Sequence, residues 1–228
     1  MVQGYIKRLR QTELPLRIEK LYEFILNTLL PSPDIKIILT ILGAFFLAGI
    51  IKGFLGIGLP PAVMAILTLV MDTVTAISLL TLPIIFTNLL QYARCENQEE
   101  VAKKYWLFGV SIMFSIFLTS VFIMSFPNTV LMVSIGFAMI AFSLTQMIGV
   151  KVSIGHGIKW HVSVGLFSGV LGGLSSIWSP PIAMYLLAQN VSKSEFIGAT
   201  GFLFLAGSIP LAIGLTFAGV LTISTVLH

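Results

Sequence analysis

From Ile37 onward the chain is a succession of apolar blocks separated by short polar or Gly/Pro-rich connections. The 192 residues after position 36 contain only seven basic and five acidic side chains. Soluble domains carry about 25% charged residues, whereas this chain carries 10% and cannot cover itself with a water-solvated surface. Because a helix satisfies its own backbone polar groups within lipid, the pattern predicts an all-α, polytopic membrane protein.

The first 34 residues differ from the rest because charged and apolar side chains alternate along them. Pro31 and Pro33 end this stretch. Its apolar side chains recur at helical spacing, which predicts an amphipathic helix lying in the membrane interface; they are Ile18, Leu21, Tyr22, Ile25, Leu26 and Leu29. We therefore divide the chain into a leader (1–34), a first transmembrane repeat (35–150) and a second, C-terminally shortened repeat (151–228).

The apolar blocks fall into two length classes when they are compared with the roughly 20 residues that a spanning helix needs. Four blocks of 18 to 22 residues can cross the membrane: 74–91, 105–126, 129–148 and 196–215. Four blocks of 10 to 15 residues are short: 37–51, 59–71, 160–174 and 180–189. The short blocks form two pairs, and an interruption rich in Gly, Ser and Pro joins the members of each pair.

The two interruptions align at an offset of 120 residues with seven identities in 19 positions, which indicates an internal repeat. Broken helices survive at membrane depth only where protein or a water-lined cavity covers their free backbone groups. Three long blocks separate the pairs, so two re-entrant hairpins would enter from opposite membrane faces. This arrangement predicts inverted repeats with a binding site where the breaks meet. Asp72 and Glu195 follow the two pairs, where we expect each to cap the next long helix.

Residues 49–61, GIIKGFLGIGLPP, and 169–185, GVLGGLSSIWSPPIAMY, resemble the two signature segments of the sulfite exporter TauE/SafE family. The resemblance extends in order and spacing over roughly residues 37–215. It implies a secondary carrier of small anions, typically sulfite or organosulfonates such as sulfoacetate, with the two broken segments meeting at the substrate. The expected location is the inner or plasma membrane.

Lys52 is the one basic residue within the apolar region that lies away from an obvious connection. Ionisable side chains at membrane depth are costly and are functional hypotheses by default, and the resemblance adds that a lysine is frequent here. We expect Lys52 to compensate the charge of the anion. The alternative is a lysine that extends its ammonium group to the interface because the preceding block crosses the membrane.

Eight small residues around the interruptions are further candidates for substrate binding: Gly53, Gly56, Gly58, Gly172, Gly173, Ser175, Ser176 and Ser179. Glycines where helices begin leave backbone N–H groups open to an anion, and glycines equally allow helices to pack closely. The serine hydroxyls either donate to the substrate or bond to carbonyl groups of their own helix.

Two larger side chains complete the candidate set. Trp178 can donate its indole N–H, form an apolar gate or lie at the membrane interface, and Asn88 is a candidate buried polar group. Four prolines are expected to shape the site by starting helices and removing backbone donors: Pro60, Pro61, Pro180 and Pro181.

No set of nucleophile, base and orienting group can be assembled, and no histidine has metal-ligand spacing with another ligand. We therefore expect neither enzymatic activity nor a cofactor. The expected partners are a small anion and the lipid bilayer, and the sequence is compatible with a homo-oligomer; the scattered basic residues do not predict nucleic-acid binding. The alternatives are a carrier or channel for a neutral solute and a membrane subunit that transports nothing.

Overall fold

The structure, a computed structural model, describes residues 35–148, 155 and 157–221. This part of the chain contains helices and no strand. The helices are α1 Ile35–Leu55, α2 Leu59–Leu67, α3 Thr73–Ala93, α4 Gln98–Val121, α5 Asn128–Ile148, α6 Ile158–Ser175, α7 Ser179–Ala188 and α8 Lys193–Phe217. The predicted all-helical class is confirmed. The predicted amphipathic leader lies outside the described residues.

Four described helices are long and apolar enough to cross a membrane, namely α1, α3, α4 and α8. The last three were expected from the block lengths. The prediction of a short first block over 37–51 is wrong, because α1 contains an apolar segment that runs from Ile37 to Leu55. Lys52 and Gly53 continue the helix, and the left-handed backbone of Gly56, with φ 73°, ends it.

The chain divides into two compact units, Met1–Leu42 and Gly43–His228. In the first unit the described residues are the beginning of α1, from Ile35 to Leu42. The second unit contains the rest of α1, both helix breaks and helices α2 to α8. Every residue of the candidate site described below belongs to this second unit.

The internal repeat is visible in the helix boundaries, which recur at the offset of 120 residues. Equivalent boundaries are Leu55 and Ser175, Leu59 and Ser179, and Thr73 and Lys193. Each break also begins in the same way, because Gly56 and Ser176 both adopt positive φ and donate their amides to the carbonyl four residues earlier, at 2.7 and 2.8 Å. The inverted membrane orientation of the two halves remains a prediction.

Small residues bring α6 very close to α4. A β-carbon placed on Gly169 would lie 2.5 Å from the β-carbon of Ser115, and Gly165 and Gly173 face Ser111 and Thr119 at 2.7 and 2.5 Å in the same way. The Ser115 hydroxyl donates across this interface to the Leu166 carbonyl at 2.8 Å. Glycine is required along this face of α6, because any side chain would separate the two helices.

The long helices that follow the breaks are capped at equivalent positions, but not by both of the predicted residues. Asp72 accepts a hydrogen bond from the Thr75 amide at 3.0 Å, as expected of an N-cap. In α8 the cap is Ser192, and Glu195 is the residue whose amide it accepts. The Glu195 carboxylate instead accepts from Lys104 at 2.5 Å and from the Tyr105 hydroxyl at 2.8 Å. The capping prediction for Glu195 is therefore wrong.

Candidate functional site between two helix breaks

Each break contains left-handed backbone, at Gly56 and Gly58 in the first and at Ser176 in the second. A helix that begins with prolines follows each break. In the first break Gly58, with φ 101°, is the N-cap of α2, and Pro60 lies in its first turn. In the second break Trp178 precedes α7, and Pro180 takes the equivalent place. The prediction that the proline pairs start helices is confirmed, and these prolines remove amide donors from the first turns.

Lys52 is buried close to the end of α1. Its side chain is 9% exposed, its ammonium group donates to the Oδ1 of Asn88, and the ring of Phe204 lies 5.8 Å from its Nζ. Among the described residues no carboxylate lies within 4 Å of this nitrogen. The ammonium group is therefore held by a neutral amide inside the protein and does not extend along the surface.

A small cavity of about 10 Å³ brings the two breaks together around Lys52 and Asn88. Pro60 from the first break and Trp178 and Ser179 from the second line it. This volume holds about one water molecule. Five of the residues predicted from the sequence thus share one cavity, although more than 100 residues of chain separate the two breaks.

A larger cavity of about 540 Å³ adjoins the small one, because Lys52, Leu59 and Thr87 line both. Gly53 and Gly56 form part of its wall in α1. Its other walls come from the second half of α3, the residues that follow α3, and the beginning of α8. The larger cavity therefore leads from Lys52 towards the connection between α3 and α4.

The five candidate glycines do not all lie at the beginning of a helix with a free backbone amide. Gly53, Gly172 and Gly173 lie inside helices, where their amides take part in helical hydrogen bonds, and the Gly56 amide is bonded to Lys52 O. Only Gly58 stands where a helix begins. Of the two alternatives given for these glycines, open amides at a helix start do not apply to Gly53, Gly172 and Gly173, because these residues precede a helix end.

The glycines of the two breaks also differ in their surroundings. A β-carbon on Gly172 would lie 2.9 Å from that of Trp178, and one on Gly173 would lie 2.5 Å from that of Thr119. A β-carbon on Gly53 would meet no atom within 4 Å. The close-packing alternative therefore describes the second break, whereas Gly53 borders open space.

The serines of the second break have separate environments. The Ser175 hydroxyl donates to the Leu171 carbonyl of its own helix at 2.6 Å and accepts from the Ile177 amide at 3.1 Å. The Ser176 hydroxyl is buried and has no hydrogen-bond partner among the described residues. Ser179 is the one that lines the small cavity. Ser175 therefore follows the structural alternative, and Ser179 is the serine placed beside Lys52.

Trp178 is buried between α6 and α8. Its indole Nε1 lies 3.1 Å from the position that a β-carbon on Gly207 would occupy, and it has no acceptor among the described residues. Its ring meets the ring of Phe204 edge-on, with 6.3 Å between the centroids. This placement excludes the interfacial alternative and makes Trp178 an apolar wall of the small cavity.

Phe204 lines the small cavity but was not among the predicted site residues. Phe204 is equivalent at the offset of 120 to Ile84, which lines the same cavity and was not predicted either, so only the structure identifies this pair. Gln91 is a second addition, since its amide nitrogen donates to the Ile197 carbonyl at 2.9 Å and to the Thr200 hydroxyl at 3.0 Å. Nothing in the sequence pairs Gln91 with residues 106 and 109 positions away.

A family model described as sulfite exporter TauE/SafE matches residues 41–228, which include both helix breaks and every residue that lines the two cavities. The chain belongs to this family. Together with the apolar helices that are long enough to span a bilayer, membership identifies it as a multi-pass membrane transport protein. Comparisons with curated proteins and with solved structures find no match.

Proposed function

We propose that this protein is a secondary carrier of a small sulfur-containing oxyanion or organosulfonate, such as sulfite or sulfoacetate, in the inner or plasma membrane. The anion binds between the two helix breaks, with Lys52 as its charge partner. Family membership supports the transport of sulfur anions. The residues around Lys52 support an anionic rather than a neutral substrate.

The observation that carries this proposal is the buried ammonium group of Lys52 with a neutral acceptor. An unpaired charge removed from water costs several kcal/mol after relaxation, and Asn88 satisfies only one of the three N–H donors of a lysine. An oxyanion beside Lys52 would supply both the missing charge and the missing acceptors. A neutral solute would leave the charge uncompensated.

The two short helices add to this preference. The first turn of α2, at Leu59 and Pro60, and the first turn of α7, at Ser179, line the small cavity. The amino end of a helix carries a partial positive charge of about half a unit, which favours anions. Two such ends and one ammonium group surround the same space. We therefore assign the place where this space adjoins the larger cavity, at Lys52, as the inner anion-binding position.

The site supports binding and not covalent chemistry. Its lining side chains are one lysine, one amide, the two hydroxyls of Thr87 and Ser179, and largely apolar groups. No residue that lines the small cavity is a carboxylate, histidine or cysteine, so a general base for a nucleophile is missing at this place. We propose on this ground that the protein translocates its substrate unchanged.

A panel of ligands tests the proposal directly. The purified chain is melted in detergent at constant ionic strength with sulfite, thiosulfate, sulfate, sulfoacetate, taurine or chloride. A ligand that binds only the folded state raises the melting temperature as its concentration exceeds Kd. We expect stabilisation by sulfite or sulfoacetate at concentrations where chloride has no effect, and flux of the same anion into liposomes. Stabilisation by none of the anions, or flux of neutral solutes alone, would refute the proposal.

A further inference from the structure

One face of α3 forms a continuous wall of the larger cavity. Thr87, Leu90, Gln91 and Arg94 all line it, and spacings of three, four and seven residues place side chains on one face of a helix. Seven residues of α-helix span about 10 Å. The wall therefore extends about 10 Å from Thr87, which also borders the small cavity, to Arg94 at the C-cap of α3.

Few of the residues that line the larger cavity carry a charge. Lys52 lies at its inner end, Arg94 lies where α3 ends, and Glu96 follows Arg94 in the connection to α4. Arg94 and Glu96 are exposed, whereas Lys52 is buried. On the side of α1 the wall is formed partly by Gly49 and Gly53, which have no side chain to obstruct the space. The cavity thus has one cation at each end, and the carboxylate of Glu96 also lines the outer end beside Arg94.

We propose that Arg94 forms an outer anion-binding position at the mouth of the larger cavity, from which a small sulfonate or oxyanion moves along α3 to Lys52. The choice of Lys52 as the inner position rests on the proposed function. A planar guanidinium group donates two parallel hydrogen bonds to an oxyanion. Two successive positions allow an anion to exchange its water shell in stages, as permeation through several weak sites requires.

Cys95 is a natural reporter of this position. It is the one cysteine of the chain, it follows Arg94 directly, and it lines the same cavity. Its thiolate displaces iodide from iodoacetamide and forms a thioether, a reaction with a neutral reagent that does not involve sulfonates. An anion bound at Arg94 should shield the thiol. The ratio of alkylation rates with and without the anion removes any effect of a variant on the reactivity of the thiol itself.

The experiment measures alkylation of Cys95 in the purified full-length protein at constant ionic strength as sulfoacetate is added. We expect saturable protection in the wild type. Arg94→Gln should raise the half-protecting concentration by about two- to fivefold, the size of effect expected for an exposed ion pair, and Arg94→Lys should keep most of the protection. Lys103→Gln is the matched control, because Lys103 is an exposed cation that pairs with Glu99 and does not line the cavity.

Protection that is absent, that does not saturate, or that responds equally to Arg94→Gln and Lys103→Gln would overturn the outer position. The proposed function is tested separately by Lys52→Met, which should reduce the stabilisation by sulfoacetate but leave the half-protecting concentration within about twofold. If protection depends on Arg94 while stabilisation ignores Lys52, the proposed function fails and the outer position stands. If stabilisation depends on Lys52 while protection does not depend on Arg94, the outer position fails and the proposed function stands.

Discussion

At the scale of single residues, the proposed function depends on the contact between Lys52 and Asn88. A lysine that is 9% exposed has lost most of its water, and one amide oxygen replaces only part of that hydration. An aspartate at position 88 would have completed the pair and left no demand for an external anion. The neutral amide holds the ammonium group in place without neutralising it.

Asn88→Asp should therefore weaken anion binding without unfolding the protein. The new carboxylate would pair with Lys52, and loss of a charge-assisted contact worth about 1.5 to 3 kcal/mol should weaken sulfoacetate binding by about ten- to a hundredfold. Buried ion pairs roughly break even in stability, so the melting temperature without anion should change little. The measurement is the sulfoacetate dependence of the melting temperature.

Asn88→Ala is the contrasting variant. It removes the acceptor without adding a charge, so it should lower the free energy of unfolding by about 1 to 3 kcal/mol while anion binding persists. If Asn88→Asp binds sulfoacetate as tightly as the wild type does, Lys52 does not contact the anion.

The sequence alone could locate polar side chains that are energetically unfavourable in lipid, because such residues stand out within an apolar block. A lysine inside an apolar block and an asparagine in a spanning helix are such residues, and Lys52 and Asn88 do meet. The pairing of Glu195 with Lys104 and Tyr105 was missed, because contacts between residues about 90 positions apart leave no local pattern. The sequence left three alternative roles open for Trp178, because only its position between α6 and α8 in the structure distinguishes them.

At the scale of helices, the prolines and the left-handed residues determine the breaks, and the sequence predicted only the prolines, because the left-handed residue of the second break is a serine, Ser176. Proline restricts the start of a helix, which located α2 and α7 to within a residue. The end of α1 was placed too early, because a glycine inside a helix costs only about 1 kcal/mol and does not by itself terminate it. Termination requires the positive φ of Gly56, three residues after Gly53.

Equivalent glycines in α1 and α6 should respond oppositely to alanine. Gly169→Ala should destabilise the protein by about 1 to 3 kcal/mol, because its β-carbon would lie 2.5 Å from that of Ser115 and 3.0 Å from the Ile112 carbonyl oxygen. Gly49→Ala is the matched control at the offset of 120, where no atom lies within 4 Å. It should be neutral or stabilising by up to about 1 kcal/mol. Thermal unfolding in detergent compares the two, and equal losses would contradict the close α4–α6 packing.

At the scale of the whole chain, the repeat supplies the site in equivalent pairs. Leu59 and Ser179, and likewise Ile84 and Phe204, are related by 120 residues and line the same small cavity. Lys52 breaks this equivalence, because its counterpart Gly172 packs against Trp178. The two halves thus contribute equivalent residues to one cavity, and in the proposed function the single cation on one side would give this cavity its preference for anions.

The inverted orientation of the two halves is testable by labelling. Asp72 is the N-cap of α3. Its equivalent, Ser192, lies near the opposite end of α3, because Ser192 and Cys95 line one cavity and Cys95 follows the C-cap of α3. Because α3 is long enough to span the bilayer, these equivalent positions should lie on opposite membrane faces. In a Cys95→Ala background, Val70→Cys and Lys193→Cys should react with an impermeant maleimide from opposite sides. Reaction of both from one side would mean that the repeats are not inverted.

Anion binding by Lys52→Met tests most directly whether Lys52 is the charge partner of the anion. Loss of a charge-assisted hydrogen bond of about 1.5 to 3 kcal/mol should weaken binding of sulfite or sulfoacetate by about ten- to a hundredfold. Lys52→Arg should retain part of the affinity, and Lys159→Met, at an exposed lysine at the start of α6, should leave it nearly unchanged. A folded Lys52→Met protein that binds the anion within about twofold of the wild type would show that Lys52 is not the charge partner of the anion.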